Sequence, residues 1–173
     1  MISNFSMISK AHFRCPLGIA EVEASETHLI SLRFLDDTSE IVPITASLKE
    51  NEVLNSCFKQ LNDYFAGARR GFDLKLDPKG TPFQKKVWEE LSNIPYGETI
   101  SYTQLADRLS DRKAIRAVAS ANATNPIWVI IPCHRVIGSN GKLVGYAGGL
   151  WRKRWLIEHE NRFSAKPVQG KLF

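Results

Sequence analysis

Cysteine is scarce in this chain. Among its 173 residues there are three, Cys15, Cys57 and Cys133, and only two methionines. An odd number at wide spacing excludes a disulfide framework, so three free thiols are expected, two structural and one open to chemistry. Long apolar runs are also missing. The longest, Ile127 to Ile131, is far short of the roughly 20 residues that span a bilayer as a helix. Met1 to His12 is polar and lacks the apolar stretch and small-residue cleavage site of a secretory signal, so the chain is expected in the cytoplasm. There is no internal repeat. With 43% hydrophobic and 24% charged residues, long disordered or low-complexity regions are excluded too. The length suits one large domain or two small ones and can bury a core without staples.

What is present is an uneven charge. Residues 1–78 hold 8 Lys and Arg against 11 Asp and Glu, a balance of −3, whereas residues 79–173 hold 15 against 7, a balance of +8. A basic second half fits a polyanionic partner, nucleic acid above all. Asp77-Pro78-Lys79-Gly80 joins turn chemistry to the change of sign and is the expected domain boundary.

The first half reads as strands followed by a helix. Apolar and polar residues alternate over Gly18–Ser25. Leu29–Leu35, Glu40–Ile44 and Phe72–Leu76 are further strand candidates, with a turn over Asp36–Ser39. Leu48–Phe65 carries a helical stripe of Val53, Leu54, Cys57, Phe58, Leu61, Tyr64 and Phe65, closed by Gly67, which makes Cys57 a core residue.

In the second half Thr81, Pro82 and Gln84 form a helix-start signature ahead of an apolar face of Phe83, Val87, Trp88 and Leu91. Ser101 and Gln104 repeat the pattern for a short helix through Leu109. Arg112–Ala123 is expected as a third helix, small and basic, stopped by Asn125-Pro126. Ile127–Ile131 reads as a buried strand, Ser139–Lys142 as a hairpin turn and Trp151–Phe163 as a final helix. Two short helices, then a small basic helix, then a strand and hairpin suggest a helix-turn-helix with a wing.

Pro132-Cys133-His134-Arg135 follows the expected strand directly. Thiols attack as thiolates, and adjacent positive charge and a nearby base promote that form. His134 and Arg135 supply both, and Glu160 on the last helix is a carboxylate that can orient an imidazole. A Cys-His-Glu relay is chemically reasonable. A winged-helix regulator leaves the cysteine motif unexplained. A Cys-His hydrolase needs an oxyanion hole that the sequence does not display, and it leaves the basic second half unexplained.

Over Thr81–Glu160 the sequence resembles the O6-alkylguanine-DNA alkyltransferases, the methylated-DNA–protein-cysteine methyltransferases. The resemblance rests on Gly80-Thr81-Pro82-Phe83-Gln84, Ile94-Pro95-Tyr96-Gly97-Glu98-Thr99, Ser101-Tyr102, Arg116-Ala117-Val118, Asn125-Pro126, Ile131 to Val136, Gly145 to Gly149 and His159-Glu160, in the family's order and spacing. The first half matches loosely, mainly at Pro16-Leu17-Gly18. The resemblance implies an α+β fold: an N-terminal ribonuclease-H-like α/β domain, residues 1–78, and a C-terminal, mostly helical winged helix-turn-helix domain, residues 79–173. It implies direct-reversal repair, in which O6-alkylguanine is flipped out of double-stranded DNA and the alkyl group passes irreversibly to Cys133.

By the same resemblance His134 acts on Cys133 through a water, Glu160 holds His134, and Tyr102 gives its proton to the purine ring. Arg116 fills the gap left in the stack, with Ser101, Arg112, Lys113 and Ala121 also at the DNA. Asn125 holds the active-site turn, and Val136, Tyr146, Ala147 and Gly148 line the substrate pocket, the carbonyls of Cys133 and Val136 receiving the guanine amino group. No cofactor, metal or membrane is implied, and the protein is expected to be a monomer, on nucleoid DNA when bound. Non-catalytic relatives carry Trp at the cysteine position, so Cys133 argues against a pure binding module. Some members hold zinc in the first half, but His12, Cys15 and His28 have no standard zinc spacing. Ala147 stands where many members have Ser, Ala119–Thr124 is less glycine-rich than is usual, and Trp128 either borders the alkyl pocket or points into the core.

Overall fold

The computed structural model describes residues 8–36 and 51–164. The expected strand Glu40–Ile44, most of the Asp36–Ser39 turn and the first turn of the expected helix at 48–50 lie outside these residues. The chain divides into two compact units, Met1–Pro78 and Lys79–Phe173.

The first unit is an antiparallel sheet of β1 (Ser9–Cys15), β2 (Gly18–Ala24) and β3 (Leu29–Leu35), covered by helix α1 (Glu52–Phe65). β1 was not anticipated from the alternation pattern. A two-residue connection, Pro16-Leu17, joins it to β2, and Gly18 at φ 108° takes a backbone conformation that disfavours side chains. The register pairs Phe13 with Ala20 and Val22 with Leu32, so His12, Ile19 and Ser31 are buried on one face, while Ala11, Phe13, Ala20, Val22, Leu32 and Phe34 share the other. Phe58 of α1 packs there, its ring 5.1 Å from that of Phe13. Cys57 is wholly buried on the same helix, and burial pushes its thiol up to about 12. Asn51 caps α1 by accepting from the Leu54 amide at 3.0 Å, and its own amide donates to the Ser25 carbonyl at 3.0 Å.

Phe72–Leu76 is not a strand. It makes one bridge, Leu29 to Leu76. The Gln60 side chain instead takes both backbone groups of Asp73, accepting from its N–H at 2.7 Å and donating to its carbonyl at 2.9 Å. A side-chain amide here replaces a strand partner.

The second unit opens with α2 (Pro82–Ser92). Thr81 and Gln84 form a reciprocal capping box, as predicted. Val87, Trp88 and Leu91 are buried, and the Trp88 indole donates to the Ala121 carbonyl at 2.8 Å. Phe83, expected on this face, is 39% exposed, because the core ends one turn further on at Val87. Next come β4 (Ile100–Ser101) and α3 (Tyr102–Arg108), with a second capping box from Ser101 and Gln104. The expected single helix over Arg112–Ala123 is divided. Asp111 accepts from the Lys113 amide and draws Arg112–Ala114 into a 3₁₀ turn, after which α4 (Ile115–Ala123) runs on as an α-helix.

Ile127–Ile131 is a tight turn, not the expected strand. Val129 sits at φ 71°, and the Ile131 amide donates back to the Ile127 carbonyl at 3.0 Å. The Asn125 side chain accepts from Ile127 N–H at 3.0 Å and donates to the Ile131 carbonyl at 2.8 Å, meeting the backbone needs that a strand would meet with a neighbour. The chain continues through a 3₁₀ turn, Cys133–Arg135, into β5 (Val136–Ile137), which pairs in parallel with β4. The turn at 139–142 forms, closed by a 2.9 Å bond from Gly138 N–H to the Lys142 carbonyl. Residues 142–149 then run as a loop, so the wing lacks a second strand. α5 (Leu150–Phe163) completes the unit. Among the described residues no helix is long and apolar enough to cross a membrane.

Candidate active site

Cys133 opens its 3₁₀ turn and is 3% exposed. Its sulfur accepts from the Asn125 amide at 3.1 Å. Burial pushes the thiol up to about 11, while the Asn125 bond and the Lys153 charge pull the other way. Burial thus favours the neutral thiol, and its use as a nucleophile would call for a base.

His134, the next residue, is fully buried. Its Nε2 lies 2.8 Å from Oε1 of Glu160. Because a carboxylate only accepts, this nitrogen carries the proton and Nδ1 carries the lone pair. That Nδ1 is buried and has no hydrogen-bond partner among the described residues. Burial lowers the His134 pKa, against the raising effect of Glu160, and favours the neutral base.

Glu160 is held by more than His134. Arg135 donates to its two oxygens from Nε and Nη2, each at 2.9 Å, and the Gly97 amide donates to Oε2 at 3.1 Å. Burial alone would raise this carboxyl, but His134 and Arg135 together hold it well below the ordinary carboxylate range. Arg135 is itself buried and donates through Nη1 to the Ile94 carbonyl at 2.6 Å. The cation thus pairs with Glu160 as a buried charge must. The motif contained Arg135, yet its pairing partner lies 25 residues away and could not be read from spacing.

The loop over 144–149 is fastened from α5. Lys153, fully buried, donates to the carbonyls of Val144 at 2.7 Å and Gly145 at 3.1 Å, and Arg152 donates to the Gly148 carbonyl at 2.8 Å. Burial brings the Lys153 ammonium down to about 8. Neither residue was picked out from sequence. The available signal was two cations in the first turn of a helix, where the dipole disfavours them. Tyr146 and Gly148 lie against Trp128: the Tyr146 and Trp128 rings are 5.9 Å apart, and a Cβ on Gly148 would fall 2.8 Å from Tyr146 Cε1 and 3.0 Å from Trp128 Cζ3. Trp128 thus borders this loop. Ala147 is exposed. Val136 is fully buried and its amide donates to the Cys133 carbonyl. The Tyr102 hydroxyl donates to the Gly145 carbonyl at 3.4 Å and accepts from the Asn122 amide at 3.3 Å.

Arg116 and Lys113 are exposed, and Arg112 is exposed beside Asp107 at 3.3 Å. Ser101 spends its hydroxyl on capping α3. Ala121 is a correction. It is 2% exposed and turned inward, where its carbonyl receives Trp88, so its side chain cannot meet DNA. The outer face of α4 consists of Arg116, Ala117, Ser120 and Ala123. In the first unit His28 bonds Thr27 at 2.8 Å and His12 lies 3.6 Å from Glu21. Among the described residues no three His, Cys, Asp or Glu side chains are grouped to hold a metal.

A buried cysteine is followed in the chain by a buried His-Glu-Arg cluster, on a unit that exposes Arg112, Lys113 and Arg116. The chain matches the family models for the 6-O-methylguanine DNA methyltransferase ribonuclease-like domain over residues 8–78 and DNA binding domain over 82–162. A methylated-DNA–protein-cysteine methyltransferase of Methanosarcina acetivorans is 44% identical over 150 residues, covering 87% of this chain and 96% of that one. The crystal structure of the Mycobacterium tuberculosis O6-methylguanine methyltransferase superposes with a TM-score of 0.80 at 41% identity, covering 93% of this chain and 97% of that one. That of the same organism's OGT in complex with DNA gives 0.79 at 42% identity, covering 90% and 94%. The chain belongs to the 6-O-methylguanine DNA methyltransferase family, a family of DNA repair methyltransferases.

Proposed function

We propose that this protein repairs O6-alkylguanine in double-stranded DNA by moving the alkyl group to Cys133, once per molecule. The observation that carries the reading is the Cys133 sulfur, bonded to Asn125 and followed directly by the buried His134–Glu160–Arg135 chain.

The lesion base leaves the stack and enters beneath the 144–149 loop. Extrusion costs a few kcal/mol, offset in part when Arg116 fills the gap. His134 takes the thiol proton through a bridging water at Nδ1, and Glu160 with Arg135 stabilises the imidazolium that forms. The sulfur attacks the alkyl carbon in line. One S–C bond forms, the C–O6 bond breaks, and its electrons pass into the purine. Tyr102 gives a proton to the ring as this charge builds and recovers one from the imidazolium through solvent. The net change converts thiol and alkylguanine to thioether and guanine, a balance that requires no cofactor. A thioether offers no easy hydrolysis, so the protein is consumed. Contacts to phosphate dominate binding by a monomer, and affinity falls as salt rises. The place of action is the cytoplasm, on nucleoid DNA.

Intact-mass analysis with a duplex carrying one O6-methylguanine tests the reading. The expected result is a gain of one methyl, mapped to Cys133 and saturating at one per chain. Tight binding without a mass gain would replace repair with damage sensing. Neither binding nor gain would point the cysteine at another substrate.

A further inference from the structure

Lys153 is fully buried in the first turn of α5. A cation in that place faces both desolvation and the positive end of the helix dipole. Its ammonium donates to two successive loop carbonyls, Val144 and Gly145, and lies 6.0 Å from the centre of the Tyr102 ring. The Gly145 carbonyl is shared. It accepts from Lys153 at 3.1 Å and, more weakly, from the Tyr102 hydroxyl at 3.4 Å. On the other side Asn122 of α4, 2% exposed, donates its amide to that hydroxyl at 3.3 Å.

We infer that Asn122 and Lys153 are positioning residues for the Tyr102 hydroxyl, which they hold aimed and free to give its proton to the substrate. This rests on the role proposed for Tyr102 above. A phenol that accepts from Asn122 has its lone pair engaged and its proton left to donate. In the resting protein that proton goes to Gly145 by a long bond. When the hydroxyl turns to the purine, the Gly145 carbonyl keeps Lys153 as its donor and is not left bare, so little is lost by the turn. Accepting from Asn122 also makes the phenol the better acid, against the burial that raises it. Neither side chain needs to touch the reacting atoms. Asn122 acts on the phenol oxygen itself, and Lys153 acts through the Gly145 carbonyl that shares it.

The test is single-turnover methyl transfer from the O6-methylguanine duplex, with N122L and K153M each made in the wild-type and the Y102F background. In the wild-type background each is expected to slow the maximal rate roughly 10- to 100-fold, the scale of a misplaced reacting group. The half-saturating duplex concentration stays within about twofold. In the Y102F background the further slowing by N122L shrinks below about twofold, because the oxygen it bonds is gone, and that by K153M shrinks without vanishing, because Lys153 also fastens the 144–149 loop and its charge favours the Cys133 thiolate. K153R, which keeps donors for the two carbonyls, restores part of the rate. The end-point yield of methylated Cys133 separates slow chemistry from unfolded protein. Equal slowing in both backgrounds, or none in the wild-type background, overturns the inference and leaves the repair reading intact. A wild type that never methylates Cys133 overturns both, and is recognised before any variant is compared.

Discussion

Asn125 bonds the Cys133 sulfur at 3.1 Å through the same amide nitrogen that holds the Ile131 carbonyl at 2.8 Å. One side chain therefore shapes the turn that delivers the cysteine and supplies a donor to its sulfur. Truncating it strips partners from buried groups at both ends of the turn. Asn125→Ala is expected to cost about 1–3 kcal/mol for each buried group left unpaired, and to abolish most methyl transfer. Thermal melting and the transfer rate check the two effects separately; an unchanged rate would show that the amide is structural alone.

Cys133 is expected to be a sluggish thiol in the resting protein. With its ionisation pushed up to about 11, alkylation by iodoacetamide should be slow at pH 7 and climb steadily towards pH 11. Cys15, the least buried of the three cysteines, should be labelled first. Peptide mapping after a short pulse reads this directly. Rapid labelling of Cys133 at neutral pH would mean that a thiolate already exists before substrate binds.

Acid should unfold this protein through the site. Glu160 is held below its ordinary value of 4.5 and His134 below 6.5. For both, the unfolded chain binds the proton more readily than the folded one, so their stabilisation is complete above the ordinary value and is lost as pH falls. Melting temperature is expected to decline below pH 6.5 through His134 and more steeply below pH 4.5 through Glu160. A flat profile from pH 7 to 4 would contradict this.

Arg116 is exposed on α4, away from the sulfur's own contacts. If it fills the vacated stack, Arg116→Ala should slow transfer from duplex roughly tenfold or more, because a few kcal/mol of unstacking goes uncompensated. Transfer from the free O6-methylguanine base, which needs no extrusion, should be unaffected. Equal slowing on both substrates would assign Arg116 another role.

The Thr81 capping box is a cleaner stability probe, because among the described residues the hydroxyl bonds within its own helix. Thr81→Ala is expected to cost about 1 kcal/mol, measured by denaturant unfolding, with no change in transfer rate.

Much of this was legible in the chain. Both capping boxes, Thr81 with Gln84 and Ser101 with Gln104, are local devices whose partners lie three residues apart. They read correctly because each capping bond joins neighbours in the chain; the distant contact of Gln84, its amide to the Thr124 hydroxyl, leaves its capping oxygen in place. The stripe of α1 and the core position of Cys57 follow from helical spacing in the same way. The cysteine motif was visible because its four residues are contiguous. The errors share the opposite cause. Ile127–Ile131 has a strand's composition, but Asn125 satisfies its backbone and curls it into a turn. Phe72–Leu76 has a strand's alternation, but Gln60 takes the backbone of Asp73. Ala121 looked like a small outward residue of a DNA-facing helix, but the rotation of α4 against Trp88 turns it inward.

The sequence by itself determined the local elements, the change of charge between the halves and the contiguous Pro132–Arg135 motif that holds the proposed nucleophile, all encoded by neighbours in the chain. Only the tertiary structure decided how that nucleophile is controlled. Arg135 reaches Glu160 across 25 residues, Lys153 fastens a loop that precedes its helix, and Asn122 meets Tyr102 from another helix. These are contacts between buried polar groups. Their partners are set by which side chains must pair once water is excluded, and no spacing along the chain records that.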